Sequence, residues 1–113
     1  IIFVTHDFGI IARMCDKVAV MYAGKIVELA PVRELFSKPQ HPYAQALLKA
    51  LPPVQEDVAR LASIEGQPPA LHDLPEGCYF ARRCGFAGDV CYEKYPDPVH
   101  INGEHWASCW KRA

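Results

Sequence analysis

Proline and cysteine set the limits on this fold. Beyond Leu51, the pairs Pro52-Pro53 and Pro68-Pro69, then Pro75, Gly77, Pro96 and Pro98, interrupt every longer periodic pattern. Each proline fixes φ and removes a backbone donor, so longer periodic patterns break here and the part reads mostly as loop. Only a short helix around Val58 to Ala62 fits. A loop-rich stretch of that length in a compact domain needs an organiser other than an apolar core. Four of the five cysteines stand in it: Cys78-x5-Cys84-x6-Cys91-x17-Cys109.

The preceding half is patterned differently. Ile1 to Thr5 is a continuous apolar run, which predicts a parallel strand covered on both faces. Such a strand needs neighbours, and the apolar opening without a methionine predicts that they lie upstream. Asp7 can cap the helix that follows, in which Phe8, Ile11, Ala12 and Cys15 recur on one face. Val18 to Tyr22 and Lys25 to Leu29 read as two strands of a hairpin joined by Ala23-Gly24, where glycine supplies positive φ. Pro31 sits in a first helical turn with Val32, Leu35 and Phe36 on the buried side, and Pro39 ends that helix. Pro42 opens another, with Tyr43, Ala46, Leu47, Ala50 and Leu51 as its stripe and Pro52-Pro53 as its stop. Cys15, at an apolar helix position, reads as a small buried hydrophobe.

Charge narrows the function classes. Lys plus Arg is 12 against 13 for Asp plus Glu, which gives no electrostatic case for a nucleic-acid partner. No run approaches the roughly 18 consecutive apolar residues of a spanning helix, and the N-terminal residues lack the pattern of a signal peptide. With 113 residues the chain is at most one ordinary domain with a poor ratio of buried to exposed surface, so a large enzyme core is not expected.

The stretch Phe-Val-Thr-His-Asp-Phe-Gly, followed after a helix by Cys-Asp-Lys-Val-Ala-Val-Met-Tyr-Ala-Gly-Lys-Ile-Val-Glu, resembles the switch-histidine segment of ABC-transporter ATPases. That resemblance implies that His6 senses the γ-phosphate of ATP. The chemistry is consistent: an imidazole held at a strand end can donate to a phosphate oxygen and orient an attacking water, and phosphoryl transfer depends mostly on positioning and charge stabilisation. The 113 residues contain no G-x-x-x-x-G-K-[ST] phosphate loop, no serine-glycine-glycine signature and no strand ending in an Asp-Glu pair. Nothing in them can grip a nucleotide. The resemblance therefore implies the C-terminal portion of an ATPase subunit, inactive alone, with ATP and magnesium bound by the parent protein.

His41-Pro42-Tyr43-Ala-Gln-Ala-Leu-Leu-Lys-Ala-Leu-Pro reads structurally as a helix start with proline in its first turn. It also resembles the His-Pro-Tyr element marking the C-terminal extension of oligopeptide and dipeptide ABC importer ATPases. From spacing alone the cysteines leave three readings open. Disulfides fit poorly on a cytosolic face. Zinc usually shows a close Cys-x2-4-Cys pair, absent here. A four-iron, four-sulfur cluster accepts wider spacing. The run Glu-Gly-Gln-Pro-Pro-Ala-Leu, then Pro-Glu-Gly-Cys-Tyr-Phe-Ala-Arg-Arg-Cys, Cys91 and His105-Trp-Ala-Ser-Cys109-Trp110, is similar to the tail of those ATPases, whose four cysteines bind such a cluster in some members. This implies Cys78, Cys84, Cys91 and Cys109 as cluster ligands, with zinc as the alternative metal. The family often has His-Pro before its Arg-Cys and proline after it, where this chain has Ala81-Arg82-Arg83 and Gly85. Arg82 and Arg83 read as a solvated basic pair, and His105 as packing beside Trp106 or facing solvent.

The resulting expectation is an α/β fold: a C-terminal fragment of a P-loop NTPase sheet with a hairpin and short helices, followed by a loop-rich cysteine extension. Residues 1–38 would belong to the ATPase domain and 39–113 to the extension. The parent would drive peptide import at the cytoplasmic face of the inner membrane, with the upstream part of its own ATPase domain, a second ATPase subunit and two membrane permease subunits as partners. The rival expectation is a self-contained iron-sulfur or zinc module that binds a partner and has no part in ATP use.

Overall fold

In the computed structural model of the chain, the described residues are 2–5, 7–50 and 68–112. The Asp7 side chain caps α1 (Phe8–Met14), its Oδ1 accepting from Gly9 N at 2.9 Å and Ile10 N at 3.3 Å. The helix buries Ile11 and lays Phe8 and Cys15 against the core, while Ala12 faces outward. Cys15 is half-buried there, extended rather than helical, as the residue that ends α1.

The hairpin forms as its pattern requires. In β1 (Lys17–Tyr22) alternate residues are buried, so Val18, Val20 and Tyr22 face inward; this is the period of two expected of a half-buried strand. β1 pairs antiparallel with β2 (Lys25–Pro31), with a bulge between Val20 and Met21. At the turn, Ala23 has φ 50° and Gly24 φ 84°. Two left-handed residues in a two-residue loop match the twist of the flanking strands. β2 runs into α2 (Val32–Ser37), which buries Leu35 completely. The His41 side chain caps α3 (Pro42–Lys49), its Nδ1 accepting from Tyr43 N at 3.0 Å, with Pro42 in the first turn where its missing N–H costs nothing.

Of the expected strand over Ile1 to Thr5, the described residues 2–5 are not in strand conformation. Residues 2–5 take no part in the sheet, and Ile2 and Val4 are 90% and 96% exposed. An isolated segment has no ladder to satisfy its N–H and C=O groups, and none of the described strands accepts it. The expected helix near Val58 to Ala62, and Leu51 of the α3 stripe, lie outside the described residues.

The proline-rich part holds more regular structure than its sequence predicts. A 3-10 turn at Ala81–Arg83 and α4 (Asp89–Glu93) precede a second hairpin, β3 (Val99–Asn102) and β4 (His105–Ala107). β4 pairs with β2, Glu28 opposite Ala107 and Leu29 opposite Trp106, giving a four-stranded antiparallel sheet of order β1-β2-β4-β3. Phe80 crosses over this sheet into the core formed by Val18, Val20, Tyr22, Val27 and Leu35. Its ring meets Tyr22 and Tyr43 with centroids 5.3 Å away in each case. Arg83 stacks over Tyr22 and Phe80 and donates to the Tyr22 hydroxyl at 3.0 Å. It is a packing residue of the core rim, while Arg82 is exposed.

Candidate functional site

Cys78, Cys84, Cys91 and Cys109 line one pocket, walled by His41, Pro42, Phe80 and Trp110 among others. Four separate pieces of local structure bring them there. Cys78 opens the turn before the Ala81–Arg83 3-10 turn, Cys84 closes it, Cys91 lies inside α4, and Cys109 follows β4. The first and third are tied through the main chain: Cys78 N donates to Cys91 O at 2.7 Å. The approach is so close that a Cβ at position 77 would overlap the Cys91 carbonyl oxygen and lie 2.6 Å from the Tyr92 carbonyl carbon. Gly77 is therefore glycine because of backbone crowding, not because of its φ.

Backbone donors address the sulfurs. Cys84 Sγ accepts from Phe86 N at 3.4 Å and Cys91 Sγ from Gly88 N at 3.5 Å. Burial pushes the Cys78 thiol up, the Phe80 N–H opposes this, and neighbouring Cys109, Cys91 and Cys84 add to the rise. Burial likewise raises Cys84; there the Phe86 N–H works against it, Cys91 with it, and Lys111 against it. Lys111 is thus the cation that holds down the rise at Cys84. Tyr95 is pushed up to about 12, by burial first and by Cys78 and Tyr79 after it. No disulfide joins any two cysteines among the described residues. Among those residues, no group of three or more His, Cys, Asp or Glu side chains is arranged to hold a single metal ion. Neither a four-iron cluster nor the zinc alternative therefore finds a ready-made ligand group in the arrangement of these side chains.

A second constellation was not foreseen from the sequence. Glu28, in the middle of β2, is fully buried and its carboxylate accepts from Gln40 N at 3.0 Å, His41 N at 2.8 Å and His105 Nε2 at 2.5 Å. His105 Nδ1 faces Glu34 Oε2 at 2.9 Å. The expectation that His105 packs beside Trp106 or meets solvent is thus wrong: it is 1% exposed and held between two carboxylates. The signal was present, since a charged residue at a buried strand position must find partners or carry a large desolvation cost.

His6 lies outside the described residues. On its far side Asp7 is fixed by its capping bonds and by Thr5 Oγ1, which accepts from Asp7 N at 3.0 Å. No helix of the described residues is long and apolar enough to cross a membrane.

Comparison with known proteins accounts for the chain as a whole. It is 46% identical over 112 residues to a probable peptide ABC transporter ATP-binding protein of Sinorhizobium fredii, covering 98% of this chain and 33% of that protein. It is 46% identical over 110 residues to a dipeptide transport ATP-binding protein of Lactococcus lactis, covering 97% and 32%. A dipeptide transport ATP-binding protein of Bacillus subtilis matches at 42% over 110 residues, covering 97% and 33%. The chain spans about a third of the length of the curated relatives it matches. Its mixed α/β fold and its order of motifs agree with the C-terminal part of such subunits, and nothing in these relatives favours a self-contained metal module. A model of the C-terminal region of oligopeptide and dipeptide transporters matches residues 27–91, more than half of the chain, and it is to this family that the protein belongs.

Proposed function

We propose that this chain supplies the switch-histidine segment and C-terminal extension of an ATP-binding subunit that powers peptide import. The single observation that carries this reading is the near-complete coverage of the chain by ATP-binding proteins of peptide transporters, at up to 46% identity. Residues 1–38 are its share of the ATPase domain and 39–113 its extension; the pairing of β2 with β4 makes one sheet of both. ATP and magnesium are bound by the upstream part of the same ATPase domain. The subunit works with a second ATPase subunit on two membrane permease subunits, at the cytoplasmic face of the inner membrane.

In this reading His6 contacts the γ-phosphate and orients the attacking water. Support comes from its place in the sequence immediately before Asp7, whose capping of α1 anchors the chain at the next residue. The test is His6→Ala in an intact ATP-binding subunit carrying this segment. ATP turnover falls by about a hundredfold or more, the scale of one positioned proton-handling group, while nucleotide affinity is retained. Turnover within a few-fold of the parent refutes the role.

Cys78, Cys84, Cys91 and Cys109 hold a four-iron, four-sulfur cluster in the same reading. What supports this is the convergence of four thiols on one pocket, with backbone N–H groups aimed at the sulfurs of Cys84 and Cys91. Hydrogen bonds to the sulfurs are among the means by which a protein tunes such a group. When bound it supplies cross-linking: one centre ties together four separate segments of the chain. Anaerobic reconstitution with iron and sulfide gives a brown protein with broad absorption in the blue, lost in each Cys→Ser variant. A colourless product, or a chain isolated with one zinc ion, refutes it.

A further inference from the structure

The buried carboxylate of β2 stands at the meeting point of the hairpin, the α3 start and the tail. Three donors converge on it from two other parts of the chain. Gln40 N and His41 N belong to the entry of α3, and His105 Nε2 belongs to β4. Both of those parts also build the cysteine pocket. His41 and Pro42 wall it. β4 delivers Cys109, which comes two residues after Ala107, the register partner of Glu28. Ser108 N, between them, donates to Val27 O at 2.8 Å, so the strand is held on both sides of Glu28. Cys91 and Cys109 are themselves buried residues, each at 7% exposure.

We propose that Glu28 is the positioning residue of the cysteine pocket: one carboxylate fixes both the helix start that walls the pocket and the strand that delivers Cys109, coupling the β1–β2 hairpin to the thiols. His105 is the arm through which it acts on β4, and Glu34 steadies the outer ring nitrogen. The coupling does not depend on what occupies the pocket. It follows from connectivity: removing the acceptor takes the bond to Glu28 from Gln40 N, His41 N and His105 Nε2 together, and a buried donor deprived of its bond costs more than the bond itself contributes. The response is local opening of these two parts. Energetic coupling of this kind acts in both directions, so a change in the pocket also loads the hairpin.

The test is residue-resolved labelling of the 113-residue chain with iodoacetamide, read by mass spectrometry, with Cys15 as internal reference. In Glu28→Gln a carboxamide offers one acceptor where three N–H donors converge, and labelling of Cys109 and Cys91 rises at least tenfold while Cys15 is unchanged. His105→Leu reproduces the rise at Cys109. His105→Gln, whose side-chain N–H still reaches an acceptor, restores labelling to within about threefold of the parent. Should Glu28→Gln not fold, the His105 pair carries the test alone. The proposal is overturned if Cys109 labelling stays within threefold in Glu28→Gln and His105→Leu. It is equally overturned if Cys15 rises in step, which marks general loss of stability, or if His105→Gln behaves as His105→Leu does.

Discussion

Gly77 offers the sharpest test of how the pocket is built. Its φ is not in the left-handed region, so alanine meets no backbone strain there. The penalty comes only from overlap. The added Cβ collides with main-chain atoms of Cys91 and Tyr92, which cannot rotate away as a side chain would. Relief requires the two segments to separate, lengthening the Cys78 N to Cys91 O bond. Overpacking of this kind costs about 1–3 kcal/mol, and loss of a hydrogen bond about 1 kcal/mol. Against this, alanine restricts the unfolded chain and returns roughly 0.4–1 kcal/mol. The net expectation is a loss of about 1–3.5 kcal/mol in Gly77→Ala. Gly85, four residues past the 3-10 turn's first residue, is the control: its Cβ would meet nothing within 4 Å. Gly85→Ala therefore changes stability by no more than about 0.5–1 kcal/mol, toward the stable side. Urea unfolding of both variants, followed by far-UV circular dichroism, measures the difference. Equal midpoints for the two would refute the crowding argument and remove the structural reason for glycine at this position.

Leu35→Ala, at a fully buried position, costs about 2–5 kcal/mol in the same assay. Ala23→Gly relieves a residue at φ 50° and raises stability by roughly 0.5 kcal/mol, the left-handed penalty partly offset by glycine's entropy. Tyr95, pushed up to about 12 from 10.0 by burial and by Cys78, gives a late phenolate transition in an ultraviolet titration that Tyr95→Phe abolishes. Its folded-state value lies above the unfolded one, so its contribution to stability is complete below pH 10 and is lost between pH 10 and about 12. Because burial raises Cys78 and Cys84, both react with iodoacetamide more slowly at pH 8 than in the urea-unfolded chain; equal rates would contradict the burial.

What could be read from sequence was local. The β1–β2 hairpin announces itself because Val18, Val20 and Tyr22 alternate and Ala23-Gly24 closes the loop within two residues. Asp7, Pro31 and Pro42 mark helix entries for equally short-range reasons. The β3–β4 hairpin carried its own signal, Asn102-Gly103 between Val99, Ile101 and Ala107, but the surrounding prolines masked it. Three things depended on distant partners and were not legible. The Ile1 to Thr5 run looks like a strand, yet nothing in its composition supplies a ladder. Glu28 reads as an ordinary strand residue until Gln40, His41 and His105 arrive around it. The cysteine spacing names a ligand set without fixing where four thiols meet; the tie from Cys78 to Cys91 and the seating of β4 on β2 do that.

The strand order has a kinetic side. β1 and β2 are neighbours in sequence and pair at once, but the partner of β2's other edge comes 77 residues after Glu28. During synthesis that edge stays bare until residues beyond His105 have left the ribosome, because non-local pairing waits on closure of a long loop. Dilute refolding should accordingly show a fast phase for the hairpin and a slow one for sheet completion, with any aggregation confined to the interval between them.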